Sequence, residues 1–272
     1  MTTVLANLGS NATLTPMEEA VLAELEQEEN AYDYMPTRIK FPSGGMSMFS
    51  IDDTDTIKPG FKAIVAVSQK ARAFWPYKET MGKPPLCSSP DGVAGTFFVG
   101  SDQIQIAQMA YSSHPAIEAI NRGDDNIAGP WLCSRCPLSQ WESAGNGARG
   151  QACKSLRRLI VLVEGWTMPA IMTLPPTSIR VFDSYASARA RAKGQAYFTV
   201  WTRIDLVQQV NAAGIKYSVA KFEMDRPLTA MEQDAVIDIR HQYADLVRKL
   251  GIESDDYATD GGNVASDEVH PF

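Results

Sequence analysis

The chain has 272 residues, 44% of them hydrophobic and 21% charged, enough apolar material for one sizeable core plus appendages. It holds no apolar run long enough to span a bilayer, and its start, MTTVLANLGSNATLTP, lacks a basic stretch followed by an apolar one. Neither a transmembrane helix nor a secretory signal is expected, and a cytoplasmic protein is.

The net charge of −7 is unevenly spread. Residues 1–37 carry seven acids and no base, residues 251–272 carry six acids and no base, and all 25 Lys and Arg lie between them against 19 acids. A basic body between acidic ends is an arrangement in which the ends can screen, or compete for, a polyanion site.

In chain order, Thr15-Pro16-Met17-Glu18 is a capping box with proline at the first helical position, which predicts a mostly solvated helix over about 16–30. PSGG at 42–45 reads as a turn between two short strands, TRIKF and MSMFSI. From Phe61 to Trp75 the alternation predicts one long strand, with Lys62, Lys70, Arg72 and Phe74 on one face and Val65, Val67 and Ala71 on the other. RRLIVLVEG and MPAIMTL make a hairpin around Gly165, and Pro175-Pro176-Thr177 ends that strand and opens a helix to about Lys193.

Strands over 196–207 and 215–224 follow, joined by a turn at Asn211 to Gly214. A second capping box, Thr229-Ala230-Met231-Glu232, opens a final helix whose Val236, Ile239, Tyr243, Leu246 and Leu250 form one apolar stripe for core packing. Many short strands with few helices predict a mainly β, α+β protein. The best-fitting architecture is an OB-like antiparallel β-barrel over 36–226, with a loop insertion over about 76–155. An acidic helical segment (1–35), the last helix (227–250) and a disordered acidic tail (251–272) flank it.

The four cysteines are Cys87, Cys133, Cys136 and Cys153. A C-x-x-C pair plus two further cysteines in a cytosolic chain points to four thiolates around a structural Zn2+, which would supply folding free energy to a loop-rich insertion. A redox pair and unligated thiols are the alternatives. Catalytic zinc is disfavoured because four thiolates close the coordination sphere. GNGARG at 145–150 matches a dinucleotide-binding pattern only in its letters, since no strand precedes it.

Tyr197, Trp201 and Arg203 alternate onto one face of their strand, and Arg72, Phe74, Trp75 and Tyr77, with Lys70 nearby, repeat the mixture on the other long strand. Rings interleaved with cations are the equipment for stacking bases and holding phosphates. Lys62 and Arg135 complete the expected face for single-stranded DNA or RNA. No duplex-reading motif is present. Asp52, Asp53 and Asp55, or Asp124 with Asp125, read as loop acids rather than nuclease ligands, so no catalytic residue is assigned.

A β-rich body with basic and aromatic strands, a cysteine zinc site and the ending ASDEVHPF together resemble the phage and mobile-element single-stranded DNA-binding proteins. PTRIKFPSGG, PPLCSSPDG and TLPPTSI also look like segments of an uncharacterised four-cysteine phage family, over about residues 36–224. The resemblance implies an OB-type core, a sequence-tolerant role protecting single strands in replication and recombination inside a bacterial host, and no catalysis. It further implies partner recruitment through Asp267, Glu268, Pro271 and Phe272. His270 departs from the family's unbroken acidic run. A zinc-containing protein-interaction adaptor or inhibitor of host proteins, without nucleic-acid binding, is the alternative.

Overall fold

The computed structural model describes residues 36–42, 45–51, 55–57, 60–76, 84–98, 118, 131–144, 150–192, 195–211, 214 and 216–252. The helix expected over 16–30, the tail, Tyr77 and the acids Asp52, Asp53, Asp124 and Asp125 lie outside them. Within the described residues the protein is mainly β: eleven strands in one mixed sheet and two long helices.

The strands are β1 (Thr37–Lys40), β2 (Phe49–Ile51), β3 (Asp55–Ile57), β4 (Phe61–Phe74), β5 (Cys87–Ser89), β6 (Ala94–Phe97), β7 (Trp131–Leu132), β8 (Cys153–Val163), β9 (Ala170–Leu174), β10 (Val200–Val210) and β11 (Lys216–Pro227). Helix α1 spans Pro176–Arg191 and α2 spans Ala230–Lys249. Neither helix is long and apolar enough to cross a membrane.

Strand β4 organises the sheet. Along one edge it pairs antiparallel with β8 over nearly its whole length; along the other it meets β10 at Phe61–Ala63 and β5 at Arg72–Phe74. From β8 the sheet continues through β9, β1, β2 and β3, and β1 runs parallel to β9 with Ile39 opposite Met172. Both faces are covered, which is why IVLV in β8 is apolar without alternation.

On one face, Phe49, Phe61, Val65, Leu159, Met172 and Phe222 pack with Phe182 of α1; on the other, Ile64, Ile160 and Trp201 pack under Val236, Ile239, Tyr243 and Val247 of α2. The sheet curls around the α1 core until its two arms meet, Gln208 donating to the Gly45 carbonyl at 2.7 Å and Ser218 to the Met46 carbonyl at 2.6 Å. These are side-chain bonds, and no ladder closes the sheet among the described residues. The all-antiparallel barrel expected from strand spacing is thus met only as a curved, open, mixed sheet.

Both helix starts follow from local chemistry. Pro176 stands at the first turn of α1, where its missing N–H costs nothing. At α2 the Thr229 hydroxyl accepts from the Glu232 N–H while the Glu232 carboxylate accepts from the Thr229 N–H at 2.7 Å, the reciprocal box its sequence encodes. The far end of α2 is held by Arg158, fully buried on β8, which donates to the carbonyls of Val247 (3.1 Å), Leu250 (2.8 Å) and Gly251 (3.3 Å).

Candidate nucleic-acid interface and cysteine cluster

The expected ring-studded face is not on the surface. Phe74 is wholly buried between Cys87 and Cys153, which stand opposite it on β5 and β8. Trp75, 3% exposed, packs with Ala71, Ala73, Leu156 and Ile252. Trp201 does share a face with Arg203, as alternation requires, but α2 lies over that face and the indole N–H donates to Glu232 at 3.1 Å. Tyr197 sits in a 3-10 turn rather than a strand, half-buried against Phe182, with rings 5.6 Å apart. Four rings expected to stack on bases instead pack in the interior.

The expected cations are divided as well. A bulge at Ala66 in β4, where Val65 and Val67 oppose the consecutive residues Val161 and Ile160, reverses the pleat. Lys62 therefore points to the α2 side, whereas Lys70, Arg72 and Phe74 point to the α1 side. Around β10 and β11 most bases meet a carboxylate: Lys62 with Asp225 at 3.0 Å, Arg203 with Asp205 at 3.0 Å, Lys221 with Glu223 at 2.7 Å and Arg226 with Glu232 at 2.7 Å, while Lys216 makes no ion pair among the described residues. That surface is charge-balanced and offers no positive path. Arg135 is exposed on the turn between Cys133 and Cys136, apart from the others.

The positive surface is elsewhere. A groove of about 560 Å3 runs along α1, floored by Pro176 and Ile179, with Arg180 and Arg191 on its walls and Ser155, Ser184 and Ser187 supplying hydroxyls. Its single acid, Asp183, is bound by Arg157 of β8 at 2.7 Å. Arg180 and Arg191 are exposed and make no ion pair among the described residues. Lys70, directly across the ladder from Arg157, extends the row onto β4, so of the expected contacts it alone joins this face as an exposed cation. The signal for these residues is in the sequence: α1 carries Arg180, Arg189 and Arg191 against one acid, a basic bias that its helix pattern alone does not reveal.

The cysteines come together across three separate stretches of chain. Cys87 on β5, Cys133 opening a short 3-10 turn, Cys136 linking that turn to the next, and Cys153 at the start of β8 line one cavity of about 10 Å3, together with Arg72, Ser89, Gly95 and Ser139. Gly95 allows this approach, since a Cβ there would lie 2.9 Å from Cys87 Sγ and 3.8 Å from Cys133 Sγ.

Burial pushes the Cys87 thiol well above its usual range, and the three neighbouring cysteines add to the rise. Burial also raises Cys153, to about 12, opposed by the Arg72 guanidinium and its hydrogen bond to the sulfur. Cys136 is raised by burial too, with the nearby backbone N–H groups of Leu138 and Ser139 working against the rise. Four soft donors on separate segments are the chemistry of a tetrahedral thiolate site, and the cavity is the size of a single small occupant. Among the described residues, no three donors yet stand close enough to hold a metal ion.

No family model, curated protein or solved structure matches the chain.

Proposed function

We propose that the protein is a sequence-tolerant single-stranded DNA-binding protein, not an enzyme, acting in phage or mobile-element replication and recombination. The observation that carries this reading is the α1 groove: two exposed arginines with no ion pair among the described residues, and three hydroxyls, beside Pro176 and Ile179, an arrangement that suits a phosphate backbone whose bases lie against aliphatic surface. The curl of the sheet, with its arms bonded at Gly45 and Met46, supports an OB-like wrap as the frame for that path. Asp267, Glu268, Pro271 and Phe272 remain the proposed docking segment for replication and recombination proteins.

Fluorescence anisotropy of a labelled oligo-dT tests the reading. The natural chain should bind at low salt, and the Arg180→Glu/Arg191→Glu double variant should lose on the order of 10-fold or more in affinity with a shallower salt slope. Absence of binding by the natural chain sinks the function; an unaltered affinity and slope in the variant sinks the groove. Labelled strands incubated with Mg2+ should stay intact.

A second reading, a protein-interaction adaptor, is favoured by one observation. Val93, Phe98, Leu132 and Trp141, on the segments that carry the cysteine cavity, are each between 49% and 60% exposed. It predicts no anisotropy change with any oligonucleotide.

A further inference from the structure

We propose that Cys87, Cys133, Cys136 and Cys153 bind one Zn2+ as a tetrathiolate whose excess negative charge is balanced by the guanidinium of Arg72. The inference is independent of the nucleic-acid reading, because it is read out by metal rather than by oligonucleotide, even though Ser155 of the groove stands opposite Arg72 across the ladder.

Arg72 carries the argument. It was expected to reach a phosphate, but it points into the cysteine cavity, hydrogen-bonded to Cys153, with its NH1 nitrogen buried and unbonded. A half-buried guanidinium with one nitrogen shut off from solvent and unbonded is best matched by an anion beside it. Four thiols supply none, and neither do two disulfides, which are neutral. A tetrathiolate does: four thiols release their protons to solvent, Zn2+ enters, and a net double negative charge remains.

The other donors agree with Arg72. The Ser139 N–H donates to the Cys136 carbonyl at 3.0 Å and, with the Leu138 N–H, lies beside the Cys136 thiol, so backbone donors approach the cluster from the knuckle as Arg72 does from the sheet. These are the contacts that orient metal ligands and set their affinity from the next layer out. Ser139 fixes the knuckle itself, its hydroxyl donating to the Cys133 carbonyl at 2.6 Å. Ligation requires the sulfurs to draw in around the cavity, and Gly95 leaves strand β6 without a side chain in their way.

The full-length chain, purified without chelator, should contain one zinc per chain by elemental analysis. Its cobalt-exchanged form should show the intense thiolate-to-cobalt charge-transfer band of a four-sulfur site. Thiol titration in denaturant after metal removal should find all four cysteines reduced. Arg72→Met should weaken zinc about 10- to 100-fold in competition with a chromophoric chelator, and Arg72→Lys, which keeps the charge, should recover part of that loss.

Zinc-free protein that takes up no cobalt, or cysteines found paired in disulfides, overturns the site. Arg72→Met holding zinc as tightly as the natural chain overturns the counter-ion. Should Arg72→Met fail to fold, Arg72→Lys decides: its affinity must lie below that of the natural chain yet well above that of Cys136→Ser.

Discussion

The carboxylate of Glu232 accepts from the Thr229 N–H and hydroxyl, from the Trp201 indole, and from two nitrogens of Arg226 at 2.7 and 2.9 Å. The Arg226 bonds come first among the causes that hold its pKa down to about 2, with burial working against them. This one side chain explains why Trp201 is a core residue: its ring lies beneath α2 and its single polar atom is satisfied there. Glu232→Gln should lower stability by about 1–3 kcal/mol at neutral pH, measured by urea unfolding. The sign in acid follows from a folded value below the ordinary glutamate value of about 4.3. The stabilisation is complete above that value and is lost as pH falls toward 2, so the gap between natural chain and variant should narrow over that window. Gly95 is the companion case in the cysteine cavity. Gly95→Val should destabilise by about 1–3 kcal/mol, because backbone and two sulfurs already fill the space, whereas the same change at Gly165, where an added Cβ meets nothing within 4 Å, is strained only by its positive φ of 81°.

Among the elements, α2 depends most on a residue far from it in sequence. Arg158 satisfies three carbonyls at the helix end that the chain's own turn leaves open, and it does so while fully buried. Arg158→Met keeps the volume and removes the donors, and should cost about 3 kcal/mol or more; hydrogen exchange over residues 246–252 should accelerate before the rest of the sheet opens. Element boundaries set by neighbouring residues were legible in the sequence: the Thr229 box, Pro176 at a helix start, the hairpin at Gly165. The bulge at Ala66 was not, since AIVAV around it holds no glycine, proline or polar residue to mark an inserted position, and one unmarked residue was enough to place Lys62 and Arg72 on opposite faces. Nor could alternation within β10 show that α2, some thirty residues later, would cover Trp201. In RRL, likewise, nothing separates Arg157, which pairs with Asp183 on the α1 side, from Arg158, buried beneath α2; only the pleat of the sheet does.

At the scale of the whole molecule, the β4–β8 pair runs from the curled, two-faced core to the cysteine cavity, and the basic groove of α1 lies alongside it. The composition told that a basic body exists, and the cysteine spacing told that distant loops would meet; neither could say that the positive row would lie on α1 and cross β8 to Lys70. Charge still frames the last prediction, but the structure moves the place of the cut. The acids of the C-terminal segment all follow Ile252, and Ile252 itself is 5% exposed, packed on Ala71, Trp75 and Leu156, with Gly251 bonded to Arg158. Truncation before residue 251 therefore removes core as well as charge and should lower the urea midpoint. Truncation after Ile252 should leave that midpoint unchanged. If the acids compete with DNA for the α1 groove, the second truncation should tighten oligo-dT binding on the order of 5-fold at low salt, and the difference should vanish as salt screens both partners. Equal affinities of the natural and truncated chains at low salt would show that the acidic segment does not reach the groove, and would leave the groove itself to be judged by its arginine variants.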